Sequence, residues 1–408
     1  MGLLSTVSKG LGMRLFEFEA KKLFAKKKIA VTEGIVASSP EDVTAAVRKL
    51  GGQAILKVQI LSGGRGKAGG VRKVDTPDEA FTAAEEMFSS TVKGYKVERI
   101  LVDPLLDVKK EYYLGVTIDR ANYKLVFISS PSGGVDIEEV ARTDPKKVYR
   151  EAFEFDEKMY SFQAFAIGKK LGFYTDKLKA SVKIIKGLFD VFKSYDCKLA
   201  EINPLIETED GELYAADARI SIDDDALFRH PELTEMGIEK RHEEGEMTER
   251  EQQAREWGIP YLDLEGKIGM FPGGAGFGIM GNDFINYYGG KPANFMDSGG
   301  GPSPERLSRM LTLLDDNPQV KAIFGARFGG ISHCDDFAKG VIMFLRDHGL
   351  SKPMVCRMTG NMWQEGVRLF EEAKEETPEA FEKIEIHGIE TPIEDIAKRA
   401  VELAKEAE

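Results

Sequence analysis

Residues 53–70, QAILKVQILSGGRGKAGG, join a hydrophobic run to a loop that is rich in glycine and in positive charge. The hydrophobic run predicts a β-strand. Five of the last ten residues are glycines, although each glycine costs about 0.5–1 kcal/mol inside a regular element. A loop of this kind bends sharply or approaches a ligand closely. The cationic side chains of Arg65, Lys67 and nearby Arg72 make phosphate the expected ligand.

The loop does not follow the Walker phosphate-binding pattern. That pattern, GxxxxGK followed by Ser or Thr, fails because Ala68 follows Lys67. Two interpretations of Lys57, inside the predicted strand, therefore stay open. Lys57 contacts a nucleotide phosphate, or it is an edge-strand lysine that deters aggregation.

Composition limits the class of protein. The chain has 408 residues, 42% of them hydrophobic, which is enough for two or three domains with real cores. A net charge of −12 argues against a nucleic-acid partner. Cys197, Cys334 and Cys356 form no CxxC pair, so we expect neither disulfides nor structural zinc, and a reducing, cytoplasmic compartment. No apolar run reaches the ~20 residues of a membrane span, so no membrane association is expected.

The order of the predicted helices and strands along the chain indicates an α/β protein with two domains. Residues 1–12 are expected to be an extension, 13–230 a first domain of mixed helices and strands, and 231–258 a charged, solvated linker. In residues 259–408 five strands alternate with five helices, which is typical of an open, doubly wound parallel sheet. The predicted strands of this second domain are KIGMFP, ANFMD, VKAIFGA, PMVCRM and KIEIHG.

Two further expectations concern strand neighbours. In the first domain, RILVDPLL, KEYYLGVTIDR and YKLVFISS are predicted to be successive strands of one sheet. In the second domain, glycine-rich segments (PGGAGFG, DSGGGPS, FGGIS and TGN) follow four of the strands. Sheets of this kind bind ligands at the carboxyl ends of their strands, so a ligand is expected there.

A possible metal site lies in the first domain. Glu201 and Asn203 alternate in the apolar strand LAEINPL, so both face one side, and Asp217 is expected on the partner strand of the following hairpin. Oxygen ligands from one or two side chains suit Mg²⁺ when nucleotide phosphates supply the rest. A cross-strand carboxylate–amide pair without metal is the alternative.

The segments KVQILSGGRGKAGGV, KEYYLGVTIDR, SSPSGGVDIEEVA, AEINPLI and ALFRHPEL occur in the order found in the ATP-grasp β subunits of succinyl-CoA synthetases. The resemblance continues to the C-terminus and implies an ATP-grasp domain followed by a flavodoxin-like CoA-ligase domain. It implies that Asn203 and Asp217 bind Mg²⁺ and that Glu201 orients a phosphohistidine. It also implies that ATP or GTP is held by Lys57, Gly64, Arg65, Gly66, Asp103 and Glu111, with Lys57 and Arg65 at the phosphates and Asp103 at the adenine-side hinge.

The resemblance also implies a second subunit. The family reaction forms an acyl-CoA through an acyl phosphate and a phosphorylated histidine, and none of the five histidines here lies in the setting that the family uses. We expect structural roles for all of them except His333. An α-like partner must then supply the nucleophile and most of the CoA site, in an αβ or (αβ)₂ assembly.

Three loops of the second domain depart from the succinate pattern: PGGAG, GARFGGISHCD and RMTGNMWQEG. The changes lean toward the citrate-binding half of ATP-citrate lyase, which is resembled by the segments GGGPS, WQEGVR, FAKGVIMFLRDH and HGIETP. Gly273 is expected to enlarge the acid pocket, and Arg327 to bind an additional carboxylate. The residues expected to bind the small carboxylic acid are Gly273, Gly274, Gly300, Ser303, Arg327, Gly329, Gly330 and Ile331.

On sequence alone, the combination most resembles the large subunit of citryl-CoA synthetase, which forms citryl-CoA from citrate, CoA and ATP. A succinyl-CoA synthetase β subunit is the alternative, and a non-catalytic nucleotide-binding scaffold is a further one. The GGGPS and FGGIS segments are either simple turns or, at helix N-termini, carboxylate-binding loops.

Overall fold

The structure is a computed structural model that describes residues 12–61, 64–239 and 248–407. The chain divides into two units, residues 1–245 and 246–408. The expected N-terminal extension falls on residues 1–12, of which only Gly12 is described. Across the described ranges, no helix has both the length and the apolar character needed to cross a bilayer.

The first unit contains thirteen strands and seven helices within the described residues. The strands are β1 (Met13–Arg14), β2 (Ile35–Ala37), β3 (Ala54–Val58), β4 (Val71–Val74), β5 (Thr91–Val92), β6 (Tyr95–Lys96), β7 (Ile100–Pro104), β8 (Val108–Asp119), β9 (Lys124–Ser130), β10 (Tyr149–Phe153), β11 (Cys197–Thr208), β12 (Leu213–Ala215) and β13 (Arg219–Ile222). The helices are α1 (Glu17–Lys26), α2 (Pro40–Lys49), α3 (Pro77–Phe88), α4 (Ile137–Thr143), α5 (Ser161–Lys170), α6 (Thr175–Ser194) and α7 (Pro231–Glu235).

The larger sheet of this unit is antiparallel, with strand order β1-β13-β11-β8-β9-β10 and β12 added to β11. Val116, Ala200 and Ile220 are paired across three strands and belong to the same core as residues of α1, α5 and α6. Because side chains alternate along a strand, Glu201 and its neighbours at odd positions face the opposite side. That opposite face carries the candidate site.

The smaller sheet has the antiparallel order β2-β7-β3-β4 and packs against α2 and α3. The segment RILVDPLL, which forms β7, was expected beside β8 and β9, but it pairs with β2 and β3 instead. Strand β3 has a partner on each side, so Lys57 is not an edge lysine and that interpretation is wrong. Both helices begin with the residues typical of a helix start. The Ser39 and Thr76 side chains accept hydrogen bonds from the N–H groups of Asp42 and Glu79, and Pro40 and Pro77 occupy the first helical positions.

The second unit is an α/β/α layered structure. Its strands are β14 (Tyr261–Asp263), β15 (Ile268–Pro272), β16 (Asn294–Met296), β17 (Ala322–Gly329), β18 (Met354–Gly360) and β19 (Ile384–His387). Its helices are α8 (Glu249–Glu256), α9 (Ala275–Tyr287), α10 (Pro304–Asp315), α11 (Cys334–Asp347), α12 (Trp363–Glu376) and α13 (Ile393–Glu406). The parallel sheet has the order β15-β17-β18-β19.

Both faces of this sheet are covered, as expected for a doubly wound fold. Met270, Phe324 and Val355 pack in one core with residues of α9 and α13, whereas their neighbours Phe271 and Ile323 pack in another with α10, α11 and α12. The alternation explains why these strands are continuously hydrophobic.

The second of the five predicted strands, ANFMD, forms β16 but does not join the parallel ladder. It pairs antiparallel with β14 and lies next to β15 through a single bridge between Ile268 and Pro292. The Asn294 side chain accepts from the Met270 N–H at 2.8 Å and donates to the Met270 carbonyl at 3.0 Å. A side chain therefore makes the hydrogen bonds that a parallel neighbour would have made.

The expected linker, residues 231–258, also differs from its prediction where the structure describes it. Leu233 and Ile238 are buried in the core of the first unit, and Ala254 is buried in a core of the second. Residues 240–247 lie outside the described ranges. A few apolar side chains among many charges are enough to dock short segments onto existing cores.

Candidate active site

A buried cluster of charges lies where α1, β3 and β7 approach one another in the first unit. The Lys57 Nζ donates to Glu17 Oε1 at 2.9 Å, to Asp103 Oδ2 at 2.7 Å and to the carbonyl of Ala216 at 2.6 Å. A lysine ammonium has three donors, so all of them are used. Lys57 is only 8% exposed. Its carboxylate partners raise its pKa even though burial acts in the opposite direction.

Two members of the cluster, Glu17 and Lys21, were not anticipated from the sequence. The Lys21 Nζ lies 2.9 Å from Glu17 Oε1 and donates to Asp103 Oδ2 at 2.6 Å and to Thr32 Oγ1 at 2.7 Å. Burial opposes ionisation of Glu17, but Lys57, Lys21 and Arg65 outweigh it and hold the pKa of Glu17 below its ordinary value. The available signal was an acid and a base four positions apart, next to the apolar stripe of α1.

Arg65 connects the glycine-rich loop to this cluster. Its Nη1 donates to the carbonyl of Val58 at 3.0 Å, and its Nη2 donates to Glu17 at 2.8 Å and to Asp217 Oδ1 at 3.0 Å. Gly64 next to it adopts a left-handed conformation, and Gly66 starts a short 3₁₀ turn. Counted together, three carboxylates (Glu17, Asp103, Asp217) balance three cations (Lys21, Lys57, Arg65), as a buried ionic group requires.

Asp217 was expected on a strand but lies in the bend between β12 and β13. Glu201 pairs with Arg219 and Leu205 with Ala215, so the same register places Asn203 opposite Asp217. The Asn203 Oδ1 accepts from the Gly134 N–H at 2.9 Å, and its amide donates to the carbonyl of Val135 at 3.0 Å. Both side chains are thus positioned at a break in the ladder.

This pair fits the needs of Mg²⁺. Asp217 is about one-third exposed, with 36% of its side chain accessible, and within the described part of the chain its Oδ2 accepts no hydrogen bond. The Asn203 carbonyl oxygen keeps a second lone pair. One carboxylate and one amide oxygen are a ligand set that Mg²⁺ accepts when phosphates and water complete the octahedron.

Glu111 lies beside the loop that holds Asn203. Gly134 has φ +68°, and a Cβ placed on it would lie 2.1 Å from Glu111 Oε2. The Gly133 N–H donates to the Glu111 carbonyl at 3.1 Å. The structure therefore brings Glu111, Asn203 and Asp217 to one region, and it brings Lys57, Arg65 and Asp103 to the adjoining charge cluster.

Glu201 lies two residues before Asn203 on β11 and faces the same side of the sheet. Burial, with a smaller contribution from Asp217, raises its pKa, while Arg219 opposes the rise from 3.7 Å. The paired residue on β8 is Gly115, where a Cβ would lie 2.6 Å from the Tyr113 hydroxyl. Glu201 is thus a nearly enclosed carboxylate whose proton affinity is higher than usual.

A separate cavity of about 350 Å³ occurs in the second unit, where β15 and β17 end. Five of the eight residues expected to bind the acid line it: Gly273, Gly274, Gly300, Gly330 and Ile331. The other three do not. Ser303 is the N-cap of α10, Gly329 packs against the backbone of Asn361, and Arg327 is completely buried.

Arg327 fills the space that Gly273 was expected to open. A Cβ on Gly273 would lie 2.5 Å from the Arg327 Cδ. The guanidinium donates from Nη1 to Ser298 Oγ at 3.0 Å and lies 6.0 Å from the centre of the Phe337 ring. Among the described residues its Nε and Nη2 have no hydrogen-bond partner, and burial lowers the pKa of Arg327. Because residue 273 is a glycine, the space beside it is filled by the Arg327 side chain and not left open for a ligand.

His333, the histidine that we expected to have a special role, precedes α11. Its ring lies 3.8 Å from Asp335, which also binds Lys339 at 2.7 Å. His333 and two acidic residues, Asp335 and Asp336, could together face a cation. Acidic residues in a first helical turn are equally well explained by the helix dipole.

Comparison with known proteins identifies both units. Residues 14–207 match the family model described as an ATP-grasp domain, and residues 271–382 match the one described as a CoA-ligase. The chain is 41% identical to the ADP-forming succinate–CoA ligase subunit beta 2 of Archaeoglobus fulgidus, over 97% of this chain and 100% of that protein. It is 39% identical to the GDP-forming succinate–CoA ligase subunit beta of Thermus thermophilus, over 88% and 93% of the two chains.

A solved structure of ATP citrate lyase from Methanothrix soehngenii, in complex with citrate and coenzyme A, has the same fold. The TM-score is 0.68 at 20% sequence identity, and the match covers 97% of this chain and 100% of the other. At this level of identity the likeness concerns the fold alone.

Proposed function

The chain belongs to the family of succinate–CoA ligase β subunits, and from this premise we propose that it is the nucleotide-binding subunit of an NDP-forming ligase that joins succinate to CoA. The observation that supports this best is the cluster of Lys57, Arg65 and Glu17 beside the Asn203–Asp217 pair, within the unit that matches the ATP-grasp family. On sequence alone citrate was the preferred acid. The curated relatives favour succinate.

Different residues of the first unit would bind Mg²⁺ and contact the nucleotide phosphates. Bound Mg²⁺, held by Asn203 and Asp217, would neutralise phosphate charge. Arg65 is the cation that can reach a phosphate most directly, because one of its partners, Asp217, is partly exposed. Lys57 is already saturated by three acceptors, so its main effect on a bound phosphate is electrostatic.

Glu201 would act on the phosphoryl acceptor. We place that acceptor, a histidine, and most of the CoA site on an α-like partner. A carboxylate with a raised pKa in a nearly enclosed position can accept a hydrogen bond from an imidazole N–H and hold the ring for attack on phosphorus. The phosphoryl group then passes to the acid carboxylate, and the CoA thiol displaces phosphate to form the thioester.

The acid would bind in the cavity of the second unit. Gly274 and Gly330 leave the backbone accessible there, and α9 begins at Ala275 directly after the glycines. Free N–H groups at a helix N-terminus favour a carboxylate.

The test is thioester formation by this chain reconstituted with its α-like partner, Mg²⁺ and CoA. Succinate and citrate are offered in parallel, each with ATP and with GTP, because relatives of both nucleotide classes exist. A higher kcat/KM for succinate supports the proposal, and a higher value for citrate contradicts it. If the isolated chain fails to bind any Mg-nucleotide, the nucleotide-binding role itself is wrong. Nucleotide binding without thioester formation from either acid would favour the non-catalytic nucleotide-binding scaffold.

One observation keeps citrate as a second candidate. Arg327 carries two N–H groups without partners among the described residues, next to the acid cavity, and an unpaired buried cation would gain from a third carboxylate. Arg327→Met removes the charge at similar length, and such a replacement in a core is often neutral or stabilising. Loss of citrate turnover with retained succinate turnover would support this candidate. Equal effects on both acids would contradict it.

A further inference from the structure

A small basic pocket occurs in the first unit, apart from the nucleotide and acid sites. It has a volume of about 50 Å³, and no acidic side chain of the described residues lines it. Four cations contribute to its wall: Arg14, Arg120, Lys198 and Arg219. The remaining lining residues are Thr117, Ile118, Leu199 and Ser221. In a chain with a net charge of −12, such a concentration of positive charge is local and specific.

The pocket is built by the register of the larger sheet. Arg14 on β1 pairs with Ser221, which pairs with Leu199, which pairs with Thr117 on β8. The next row along the same face contains Arg219 and Glu201, and the row after that contains Asp217 and Asn203. The pocket therefore lies one row from Glu201 and two rows from the proposed Mg²⁺ pair.

An irregularity in β11 adds the fourth cation. The pairing with β13 shifts between Cys197 and Leu199, which places Lys198 in a β-bulge. A bulge redirects a side chain relative to strict alternation, and bulges are frequent next to active sites. Lys198 therefore lines the same pocket as its neighbour Leu199.

The cations of the pocket have partners of different kinds. Lys198 Nζ lies 3.0 Å from Asp223, and Arg219 lies 3.7 Å from Glu201. Arg14 is 7% exposed and donates to the carbonyl of Leu61 at 3.1 Å. Arg120 has no ion pair, and the Ser221 hydroxyl no hydrogen-bond partner, within the described part of the chain. The pocket thus offers both positive charge and available donors to an anion.

The volume selects the size of that anion. A cavity needs a volume of about 10–15 Å³ to hold one water-sized atom. The pocket volume of about 50 Å³ therefore holds roughly four oxygen atoms. A tetrahedral oxyanion has four, whereas a nucleotide or a CoA molecule is far too large. We propose that this pocket is an oxyanion subsite that binds a phosphate group, at Arg14, Arg120, Lys198, Arg219 and Ser221.

The subsite is coupled to Glu201 through Arg219. An anion in the pocket and the Glu201 carboxylate compete for the same guanidinium. Removing the carboxylate therefore strengthens anion binding, whereas removing a pocket cation weakens it. These opposite signs distinguish the pocket from general attraction of phosphate to a basic surface. The inference goes beyond the proposed function and does not depend on it.

The test is calorimetric titration of the full chain with orthophosphate at constant ionic strength, with the Mg²⁺ complex of a non-hydrolysable ATP analogue at saturation so that all three nucleotide phosphate positions are filled. We expect saturable binding that Arg120→Gln weakens about tenfold, as for loss of one charged hydrogen bond. Glu201→Gln should tighten binding at least about threefold. Lys183→Gln, at an exposed position of α6, is the matched control and should change nothing.

Absence of saturable binding would overturn the proposal, as would binding that Arg120→Gln leaves unchanged or that Glu201→Gln weakens. Titration with N-phosphoimidazole under the same conditions identifies the source of the phosphate group. Tighter binding of orthophosphate indicates the free ion, and tighter binding of N-phosphoimidazole indicates a phosphorylated histidine side chain. Equal loss of both in Arg120→Gln places the two ligands in this pocket.

Discussion

At the scale of single residues, Glu17 is the carboxylate on which the nucleotide-side cluster depends. It lies within 2.9 Å of Lys21, Lys57 and Arg65, and its side chain is inaccessible to solvent. Removing one charge from a buried ionic group leaves the others uncompensated, which costs about 3–5 kcal/mol. Glu17 therefore contributes both to the stability of this unit and to the positions of Lys57 and Arg65.

We expect Glu17→Gln to lower the free energy of unfolding by about 3–5 kcal/mol at neutral pH, measured by urea denaturation. Exposed Glu33→Gln is the control. Because the folded-state pKa of Glu17 lies below its ordinary value of 4.5, the stabilisation is present above pH 4.5 and is lost as the pH falls towards the folded-state pKa. Equal stability of the two variants at pH 7 would contradict the assignment.

The pKa of Glu201 is shifted in the opposite direction to that of Glu17. Its folded-state pKa is raised by burial, so its ionisation costs stability as the pH rises through that value. Glu201→Gln should therefore raise the unfolding midpoint at pH 7 and leave Mg-nucleotide affinity unchanged. In the reconstituted complex it should slow histidine phosphorylation by orders of magnitude, because a transition-state interaction is lost. Unchanged phosphorylation in a single-turnover assay would remove Glu201 from the mechanism.

At the scale of elements, the loop between β9 and α4 holds Asn203, one of the two proposed metal ligands. It reaches Asn203 through the Gly134 N–H and the Val135 carbonyl, and it presses on Glu111. A Cβ at Gly134 would lie 2.1 Å from Glu111 Oε2, so a larger residue there requires the Glu111 carboxylate to move, and it also has to adopt φ +68°. The loop therefore couples Glu111 to the amide of Asn203, the proposed Mg²⁺ ligand.

We expect Gly134→Ala to weaken Mg-nucleotide binding about tenfold, as loss of the hydrogen bonds that orient Asn203 implies. Gly51→Ala is a matched control: Gly51 also has positive φ, but a Cβ added there would meet nothing within 4 Å. Gly51→Ala therefore has an unfavourable positive φ, like Gly134→Ala, but no steric clash. Isothermal titration of both variants with Mg-ADP checks the expectation, and equal affinities would show that backbone strain alone is responsible.

A second element-scale expectation concerns the acid cavity. Gly273→Ala should displace Arg327, because the new Cβ would lie 2.5 Å from the Arg327 Cδ. Gly300→Ala, in the same cavity but with nothing within 4 Å, is the control. We expect the first variant to raise the KM for the acid at least about tenfold and the second to change it little. Equal KM values would mean that Arg327 does not shape the cavity.

At the scale of the whole molecule, the proposed nucleotide and acid sites belong to different units. The charge cluster and the Asn203–Asp217 pair lie within residues 1–245, and the cavity proposed for the acid lies within residues 246–408. A ligand stabilises the unit that it binds by about 2.7 kcal/mol at a hundred times its Kd. The two ligands should therefore protect different parts of the chain.

Hydrogen exchange measured by mass spectrometry checks this expectation. Mg-ADP should slow exchange in α1, β3, β7 and β11 and leave β15, β17 and α9 unchanged, and removal of Mg²⁺ with EDTA should reverse the effect. Protection by Mg-ADP confined to the second unit would contradict the placement of the nucleotide site.

Local sequence signals are sufficient to predict the individual helices and strands, because these signals lie within a few neighbouring residues. Ser39-Pro40 and Thr76-Pro77 start helices, and alternating apolar residues predict strands such as β15 and β17. The glycine-rich ends of the strands pointed to the acid cavity, and the spacing of Glu201 and Asn203 placed them on one face.

Which elements meet depends on contacts between residues that are far apart in the chain. Lys57 binds Asp103, 46 positions away, and the Ala216 carbonyl, 159 positions away, and no local pattern records such distances. For the same reason β7 joined a different sheet than expected, Glu17 and Lys21 entered the charge cluster, and Arg327 became buried. Sheet partners and burial depend on contacts between remote residues, and the chemistry of a buried charge depends on both.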